Sequence, residues 1–335
     1  MDIYFVANPD PLPAEAVCTF RVSGKTPEAW FPDTGRIEPI SVFEETNGCT
    51  RIPLRFEPAG SMFIVFKQGT VKASERIVSV KRNGQELVKM SQTDAKSATS
   101  DVSQVPPLDL VNREISQNGT YEIKTADEKS RQVAVTNLPA PQEIKGPWEV
   151  KLAPGLGAPE KIVLEDLVSW SRHSDSGVRY FSGSATYRKL LELPQLQINS
   201  GKPEVGNLKS KMYLDLGKVA VMAEVKLNGK NLGILWKAPY SVDITDSVKA
   251  GENDLEIRVF NLPVNRMIGD EFLPEDSERN KNGTLRKWPQ WLEEGKLSPT
   301  GRFTFTSWRL WKKDEPLQES GLLGPVTVRT VMQLP

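Results

Sequence analysis

Hydrophobic and polar residues alternate in short segments along most of this chain. Val, Ile, Thr and aromatic residues fill these segments, and Gly or Pro separates them, which is typical of half-buried strands. Helical periodicity is not sustained over about twelve residues anywhere. Between the second and third strands, Trp30 leads into a Pro-Asp-Thr-Gly turn. In the first part of the chain the pattern predicts antiparallel strands over residues 3–7, 17–22, 37–43, 50–56, 61–67, 119–125 and 132–135.

Two changes in composition divide the chain. Residues 91–107 are rich in Ser, Thr, Gln, Asp and Ala, which predicts an exposed loop. Residues 138–141 are Leu-Pro-Ala-Pro, and closely spaced prolines hold a chain extended outside any central ladder. We therefore expect an N-terminal antiparallel β-sandwich over residues 1–143 and a second domain over residues 144–335.

The second domain has the clearer strand pattern. Asn228-Gly229 separates alternating segments at 219–227 and 231–236, and Asn-Gly between such segments is a strong hairpin signal. Strands spaced eight to twelve residues apart are typical of a β-sandwich or jelly roll. The remaining strands predicted here cover residues 146–150, 185–193, 211–216 and 254–261.

Charge and residue counts exclude several classes of function. The chain has 335 residues, with 43 Lys and Arg against 43 Asp and Glu, so no net basic charge favours nucleic acid or a membrane surface. The one histidine, His173, excludes sites built from several histidines. It follows a tryptophan in a polar segment, where we expect a loop hydrogen bond. Cys18 and Cys49 are expected to be free thiols, although they could pair in an oxidising compartment.

The beginning of the chain lacks the features of a targeting signal. Residues 1–9 have neither a basic segment nor a long apolar run, and no later stretch approaches the roughly 18 apolar residues of a membrane span. We therefore expect no signal peptide and no membrane anchor. Because residues 3–7 already form a predicted strand, a fragment or a shortened gene is one interpretation.

Residues 225–259 carry a recognisable motif. Their sequence, VKLNGKNLGILWKAPYSVDITDSVKAGENDLEIRV, resembles the galactose-binding-like jelly roll of family 2 glycosidases. The segments NLPVNRMIGD (261–270), TGRFTFTSW (300–308) and SGLLGPV (320–326) narrow the resemblance, together with GPW (146–148) and YFSGSATY (180–187). With these segments the chain resembles the C-terminal region of glycoside hydrolase family 106, whose members act on α-L-rhamnosides. The likeness covers residues 144–332 well and residues 1–143 loosely.

The resemblance implies a fold and a context. In that family the catalytic carboxylates and a calcium site belong to a (β/α)₈ barrel upstream, which needs some 250 residues of alternating strand and helix. This chain has no such segment, so we transfer the fold and no catalytic residue. The family is typically periplasmic or secreted. The implied partners are a rhamnose-containing glycan and a catalytic barrel, in cis or in trans.

An acidic cluster follows the predicted strand at 254–261. Clustered carboxylates bind hard cations, so Asp270, Glu271 and Asp276 are the candidates for a Ca²⁺ site. The alternative is a solvated loop whose charge is balanced by Arg266, Arg279 and Lys281.

Aromatic and amide side chains are the candidates for sugar binding. Trp288 and Trp291 have polar neighbours, and an exposed indole can stack on the CH face of a sugar. Asn265 and Arg266 could bind hydroxyls or a carboxylate, or could instead clamp a loop. Core positions are expected for the tryptophans that lie within strand patterns, namely Trp148, Trp236 and Trp308.

Taken together, the sequence predicts an all-β protein in which an antiparallel sandwich precedes a galactose-binding-like jelly roll. The expected role is the non-catalytic C-terminal part of an α-L-rhamnosidase-like glycosidase, which supports the barrel and contributes to sugar recognition during plant-polysaccharide breakdown. The alternatives are a stand-alone carbohydrate-binding module and a purely structural or interaction protein.

Overall fold

The computed structural model describes residues 1–69, 72, 75–88, 96–97, 106–193 and 209–334. Strands paired antiparallel dominate these residues, and the predicted all-β class is confirmed. Most of the loop predicted at 91–107 lies outside the described residues. The strands of the first part of the chain are β1 (Asp2–Ala7), β2 (Ala14–Phe20), β3 (Lys25–Trp30), β4 (Ile37–Pro39), β5 (Glu44–Thr46), β6 (Cys49–Phe56), β7 (Ser61–Gln68), β8 (Ile77–Arg82), β9 (Gln85–Glu86), β10 (Lys96–Ser97), β11 (Leu108–Asp109), β12 (Glu114–Ile115), β13 (Gly119–Thr125) and β14 (Ser130–Val135).

Strands also dominate the second part, and its described helices are short. The strands are β15 (Gln142–Glu143), β16 (Trp148–Leu152), β17 (Lys161–Leu164), β18 (Ser184–Leu193), β19 (Lys209–Asp215), β20 (Lys218–Val219), β21 (Met222–Leu227), β22 (Lys230–Leu235), β23 (Ser241–Asp243), β24 (Gly251–Phe260), β25 (Leu322–Gly324) and β26 (Thr327–Gln333). The helical segments are a 3₁₀ turn (Trp170–Arg172), α1 (Ser176–Arg179), α2 (Val264–Asp270) and α3 (Gln290–Glu293).

The chain forms two compact units. Among the described residues, the first contains those up to residue 141 together with 209–212 and 329–334, whereas the second contains 142–193 and 213–328. Within the described residues, no helix combines the length and apolar character needed to cross a lipid bilayer.

The first unit begins with a sandwich of two sheets. Their strand orders are β1-β7-β3-β4 and β10-β2-β6-β5. Strand β6 shows why they pack, because alternate residues along Cys49–Phe56 are buried and the sheet presents one apolar face. The inner faces share one core, which includes Phe20, Leu54, Ile64 and Phe66. Cys18 packs against this core, and both Cys18 and Cys49 are free thiols, as expected.

A second core of the first unit forms around the sheet β14-β13-β8-β9. Tyr121, Ile123 and Val133 contribute to it from the β13–β14 hairpin. The Tyr121 hydroxyl donates a hydrogen bond to the Gln117 carbonyl over 2.8 Å. The residues predicted for β13 and its hairpin partner therefore occupy the sheet positions that their alternation indicates.

The second unit is built on a six-stranded sheet with the order β17-β16-β18-β24-β21-β22. Pairing registers place Val150, Tyr187, Ile257 and Val225 in one row across four strands, and all four are fully buried. The adjacent row on the opposite face consists of charged residues, namely Glu149, Arg188, Glu256 and Lys226. A period of two thus separates a core face from a solvated face.

A buried aromatic group fixes the inner face of this sheet. The Trp170 indole stacks on Tyr187, with ring centroids 6.2 Å apart, and its Nε1 donates a hydrogen bond to the Tyr187 hydroxyl over 2.7 Å. The same hydroxyl accepts a hydrogen bond from the Leu322 backbone N–H over 3.0 Å. Gly321 lies so close that a Cβ atom there would come within 2.7 Å of the Trp170 ring. Residues 320–322 therefore sit against the core of this unit.

The predicted strands differ from the structure in several places, two of which lie on either side of the turn after Trp30. Residues 25–30 form β3, although the sequence pattern predicted no strand over these residues. The strand predicted at 37–43 is shortened to β4, and Val42 forms only an isolated bridge with Ile77. Pairing with β7 and β4 overrides the weak local preference of the proline-containing segment at 25–30, whereas at 37–43 the pairing with β3 ends at Pro39.

Candidate functional site

A long connection joins β24 to β25 in the second unit, over residues 261–321. It contains α2 and α3, and otherwise consists of turns, isolated bridges and irregular structure. Connections of this length are uncommon unless they serve a function, and binding residues are concentrated on loops. Every candidate site residue predicted from the sequence lies on it.

Asp270, at the end of α2, ties this helix to residues 303 and 304 of the connection. One carboxylate oxygen accepts hydrogen bonds from the Phe303 N–H over 2.9 Å, the Thr304 N–H over 2.7 Å and the Thr304 hydroxyl over 2.7 Å. The other oxygen lies 3.0 Å from Nε of Arg266, one helical turn earlier. Asp270 is buried, and its second oxygen meets Arg266 as an ion pair without a well-aligned hydrogen bond.

The Arg266 guanidinium lies between two aromatic rings. Its central carbon is 4.9 Å from the centroid of Phe303 and 5.7 Å from that of Tyr180. Burial lowers the pKa of this guanidinium, and the neighbouring Asp270 carboxylate opposes the shift. The flat cation is held by ring faces and one carboxylate, an arrangement that suits arginine better than lysine.

Asn265 joins the start of α2 to the end of the connection. Its side-chain amide donates to the Gln318 carbonyl over 2.8 Å and accepts from the Gln318 N–H over 2.8 Å. This two-way bond is the loop clamp that was the alternative to sugar binding. A sugar-binding role for Asn265 and Arg266 stays a prediction, and in this structure both side chains are buried.

Three arginines and two glutamates form a network that closes the middle of the connection. Arg302 pairs with Glu271 at 2.9 Å and with Glu275 at 3.3 Å. Arg309 lies 3.1 Å from the other Glu271 oxygen and also contacts Glu275. Arg279 pairs with Glu275 at 3.8 Å and donates to the Thr306 carbonyl over 2.7 Å. The segment around residues 271–279 is thus tied to residues 302–309 by ionic contacts.

A small polar cavity lies beside this network. Its lining includes the three arginines together with Met267, Asp276, Thr306 and Trp311. With a volume of about 20 Å³ it has room for about one water molecule, so a sugar ring does not fit. The cavity belongs to the architecture of the connection.

The three predicted Ca²⁺ ligands contact other groups of the chain, and a Ca²⁺ site on them stays a prediction. Glu271 is held by Arg302 and Arg309, and Asp270 is bonded as described above. An oxygen of Asp276 accepts from the Ser298 hydroxyl over 2.7 Å. No group of three or more His, Cys, Asp or Glu side chains is placed for a metal ion in the described part of the chain.

The tryptophans of the connection differ in exposure. The Trp288 side chain is 57% exposed and packs on Phe305, with ring centroids 5.8 Å apart. Trp291 meets the edge of the same ring at 5.8 Å, is half-buried, and donates from Nε1 to the Asp276 carbonyl over 2.9 Å. Phe305 thus supports an exposed indole from behind while Trp291 braces it. We call these three side chains the Trp288 platform.

The core positions expected for Trp236 and Trp308 are wrong, whereas that of Trp148 is confirmed. Trp148 is fully buried, but Trp236 is 59% and Trp308 is 55% exposed. Trp236 follows β22, an edge strand whose outer side pairs with no further described strand. Trp308 forms a single bridge with Thr284 in the long connection and belongs to no sheet.

His173 has the loop role expected for it. Its Nδ1 accepts a hydrogen bond from the Asp175 N–H over 3.1 Å, and its carbonyl accepts from Nε of Arg179 over 3.0 Å. Asp175 in turn caps α1 by accepting from the Val178 N–H. The histidine therefore helps to shape a turn.

Sequence reasoning missed Arg302 and Arg309. Both lie far along the chain from the carboxylates that they pair with, and ion pairs between irregular segments leave no periodic signal. One indication was present: the acidic cluster at 270–278 shares the connection with Arg279, Arg302 and Arg309, which can neutralise it.

Comparisons with known proteins relate this chain to glycosidases. It is 41% identical, over 215 residues, to a protein of Formosa agariphila (strain DSM 15362) provisionally named a β-glucuronidase; the match covers 64% of this chain and 18% of that protein. A rhamnosidase of Novosphingobium sp. PP1Y matches in structure with a TM-score of 0.59 and 28% identity, over 99% of this chain and 23% of that one.

Other comparisons add less. A β-glucuronidase of Ruminococcus gnavus has 18% identity and a TM-score of 0.34 over 60% of this chain and 29% of that one, which is too low to support an argument. No model of a known protein family matches the sequence. The chain is related to glycoside hydrolases, and it spans about a fifth of the length of the two relatives described first, at 18% and 23%.

Proposed function

We propose that this chain is the non-catalytic C-terminal β region of a glycoside hydrolase that acts on α-L-rhamnosides in rhamnose-containing glycans. The observation that carries the proposal is the match to the Novosphingobium rhamnosidase, which covers 99% of this chain but 23% of that enzyme. On this view a catalytic barrel, in cis or in trans, supplies the reaction. The family resemblance adds a periplasmic or secreted location to the proposal.

The carboxylates of the long connection favour a structural role over a catalytic one. Glycoside hydrolysis needs two carboxyl groups on opposite sides of a sugar, one of which must take up and release a proton. Glu271 and Glu275 are held by arginines, and Asp270 accepts three hydrogen bonds on one oxygen. These carboxylates are therefore engaged by partners within the chain and do not face a sugar as a free pair.

The Trp288 platform is the part of this region that we propose to meet sugar. A stacking ring binds best when it is exposed but fixed, because little side-chain entropy is then lost. Trp288 meets both conditions, since Phe305 supports it and Arg279 of the arginine network binds the carbonyl of Thr306, next to Phe305. The same platform could contact the barrel close to its substrate.

Hydrolysis assays test the proposal. The purified 335-residue chain, supplied with Ca²⁺, is incubated with 4-nitrophenyl α-L-rhamnoside and separately with 4-nitrophenyl β-D-glucuronide. The intact Novosphingobium rhamnosidase serves as positive control for the first substrate. We expect no nitrophenol from the chain alone. Release from either substrate would overturn the non-catalytic assignment, and release from the glucuronide would also redirect the substrate class.

A stand-alone carbohydrate-binding module is the second candidate, and the exposed Trp288 ring favours it. Titration calorimetry with rhamnose-containing oligosaccharides would then give a measurable affinity. Trp288→Ala should weaken it at least tenfold, whereas Trp236→Ala, which removes an equally exposed indole outside the connection, should not. Trp291→Ala is less informative because Trp291 also braces the loop. No heat from the wild-type chain would leave only the supporting role.

A further inference from the structure

The outer face of one sheet in the first unit is apolar. Pairing registers in the sheet β1-β7-β3-β4 place Phe5, Phe63, Trp30 and Ile37 side by side in a single row across all four strands. Phe5 is 61% and Ile37 is 50% exposed, and the two residues between them are half-buried. The Phe5 and Phe63 rings are 5.3 Å apart. We call this set the Phe5 row.

The neighbouring row extends the apolar surface. Ile3 lies beside Val65, which lies beside Glu28 and then Pro39. Ile3 is exposed, whereas Val65 is covered by its neighbours. Given a strand spacing of about 4.8 Å and a rise of about 3.4 Å per residue, the two rows cover roughly 200 Å². This is enough for the apolar centre of a contact between domains.

The sheet β17-β16-β18-β24-β21-β22 of the second unit shows what a solvated face looks like. There the corresponding outer row consists of Glu149, Arg188, Glu256 and Lys226. Glu256 pairs with Arg188 along this row. A sheet that faces water normally alternates apolar inside with polar outside. The outer face that carries the Phe5 row departs from this pattern, because it exposes apolar side chains where polar ones are expected, and such patches mark interaction surfaces.

The charges around the Phe5 row do not oppose a partner. Lys67 pairs with Glu28 at 2.8 Å and lies over the Trp30 ring. This cation is therefore paired with an anion on the same face. An apolar surface with internally paired charges fits a protein surface without a strong charge of its own.

We propose that the Phe5 row is the docking surface for another domain of the same glycosidase, and this inference rests on the proposed function. The occupant follows from length, because nearly the whole of this chain matches a segment that makes up 23% of the rhamnosidase. The rest of such an enzyme is several times larger than this chain and is the partner that the proposed function requires. A glycan fits less well, because Ile3, Val65 and Ile37 offer no hydrogen bonds to hydroxyls.

Lysine substitutions test the docking surface in two proteins. The patch pair is Phe5→Lys with Ile37→Lys. The control pair is Val163→Lys with Ile234→Lys, two residues that are 57% and 58% exposed on the solvated sheet. Both pairs are made in the 335-residue chain, and lysines are placed at the superposed positions of the intact Novosphingobium rhamnosidase. Serine pairs at the same four positions provide milder variants. Thermal unfolding is then measured for each protein.

In the isolated chain, the two pairs should lower the unfolding temperature by similar amounts, because all four side chains are exposed to a similar degree. In the intact rhamnosidase, the patch pair should lower the unfolding temperature more than the control pair does. Equal effects of the two pairs in the intact enzyme would overturn the docking surface. This failure is distinct from that of the proposed function, which falls only if the isolated chain hydrolyses a glycoside.

Two further results would replace the occupant. Sedimentation velocity could show that the isolated chain is a dimer that the patch pair converts to monomers, and a second copy would then cover the row. The wild-type chain could also bind a rhamnose-containing polysaccharide in a pull-down that the patch pair abolishes, and the row would then be a glycan site. A monomer whose glycan binding is unaffected by the patch pair is the result that the proposal expects.

Discussion

Removing Arg302 should loosen the long connection that carries the Trp288 platform. The Arg302 side chain is 8% exposed and pairs with Glu271, and it also donates to the carbonyls of Pro274 over 2.9 Å and Leu273 over 3.0 Å. Breaking a buried ion pair from one side costs about 3–5 kcal/mol. Arg309 still neutralises Glu271, which offsets part of this cost. We therefore expect Arg302→Ala to destabilise the connection by about 3 kcal/mol.

Hydrogen exchange measures this loss locally. A local free-energy loss of about 3 kcal/mol corresponds to roughly a hundredfold faster amide exchange where exchange follows local opening. We expect that acceleration at residues 271–279 and 302–309, with little change in the six-stranded sheet. Arg302→Lys keeps the charge but loses the fork of donors, so it should fall between the wild type and Arg302→Ala.

Lys287→Ala is the matched control, because it removes an ion pair of the same connection that is exposed on both sides, with Glu278. Exposed pairs contribute little, so exchange should not change. If Arg302→Ala and Lys287→Ala gave the same exchange pattern, the arginine network would not hold the connection together. The structural reasoning for the platform would then be refuted.

Four further outcomes follow from the second unit. Tyr187→Phe leaves the buried N–H donors of Trp170 and Leu322 unpaired, so urea unfolding should show a free energy of unfolding lower by about 2–5 kcal/mol. The control Tyr240→Phe removes one hydrogen bond to the Val221 carbonyl and should cost about 1 kcal/mol. Burial raises the pKa of the Tyr187 hydroxyl, so the unfolded chain loses this proton first as the pH rises above about 10. The free energy of unfolding of the wild type should therefore fall more steeply above that pH than that of Tyr187→Phe. Parallel curves would contradict the burial of this hydroxyl. Gly321→Ala should prevent recovery of soluble protein, because a Cβ atom there would meet Trp170 at 2.7 Å, at a φ of +92°. The control Gly295→Ala, whose Cβ atom would have nothing within 4 Å, should remain soluble. Equal yields of the two variants would contradict this prediction. Acrylamide should quench a large fraction of the tryptophan fluorescence, and weak quenching would argue against the exposure found for Trp236, Trp288 and Trp308.

Strand positions could be predicted where alternation and turn chemistry agree. The segment predicted at 119–125 coincides with β13, and Asn228-Gly229 forms the turn between β21 and β22. Strand β3 was missed because Lys25–Trp30 contains a proline and charged residues, so its local preference for a strand is weak. It exists because β7 and β4 pair with it on either side. That information lies in distant segments and not in the segment itself.

The candidate site shows the same division between local and distant information. The segment after β24 could be recognised as chemically rich, and an exposed position for Trp288 was one of the outcomes anticipated for it. The use of its charges could not be foreseen, because Arg302 lies 31 positions from Glu271 in an irregular connection. Alternation also misplaced Trp236, since it follows an edge strand whose faces are both largely exposed. Periodicity describes sheets well and long connections poorly.

Nitrophenol release from 4-nitrophenyl α-L-rhamnoside tests the central claim most directly. The purified 335-residue chain is supplied with Ca²⁺. The chain and the substrate are used at equal concentrations, so that even a single turnover is visible. The intact Novosphingobium rhamnosidase is assayed in parallel. The account predicts release by the intact enzyme and none by the chain. Release by the chain, abolished by a carboxylate substitution within it, would contradict the claim that catalysis belongs to another part of the glycosidase.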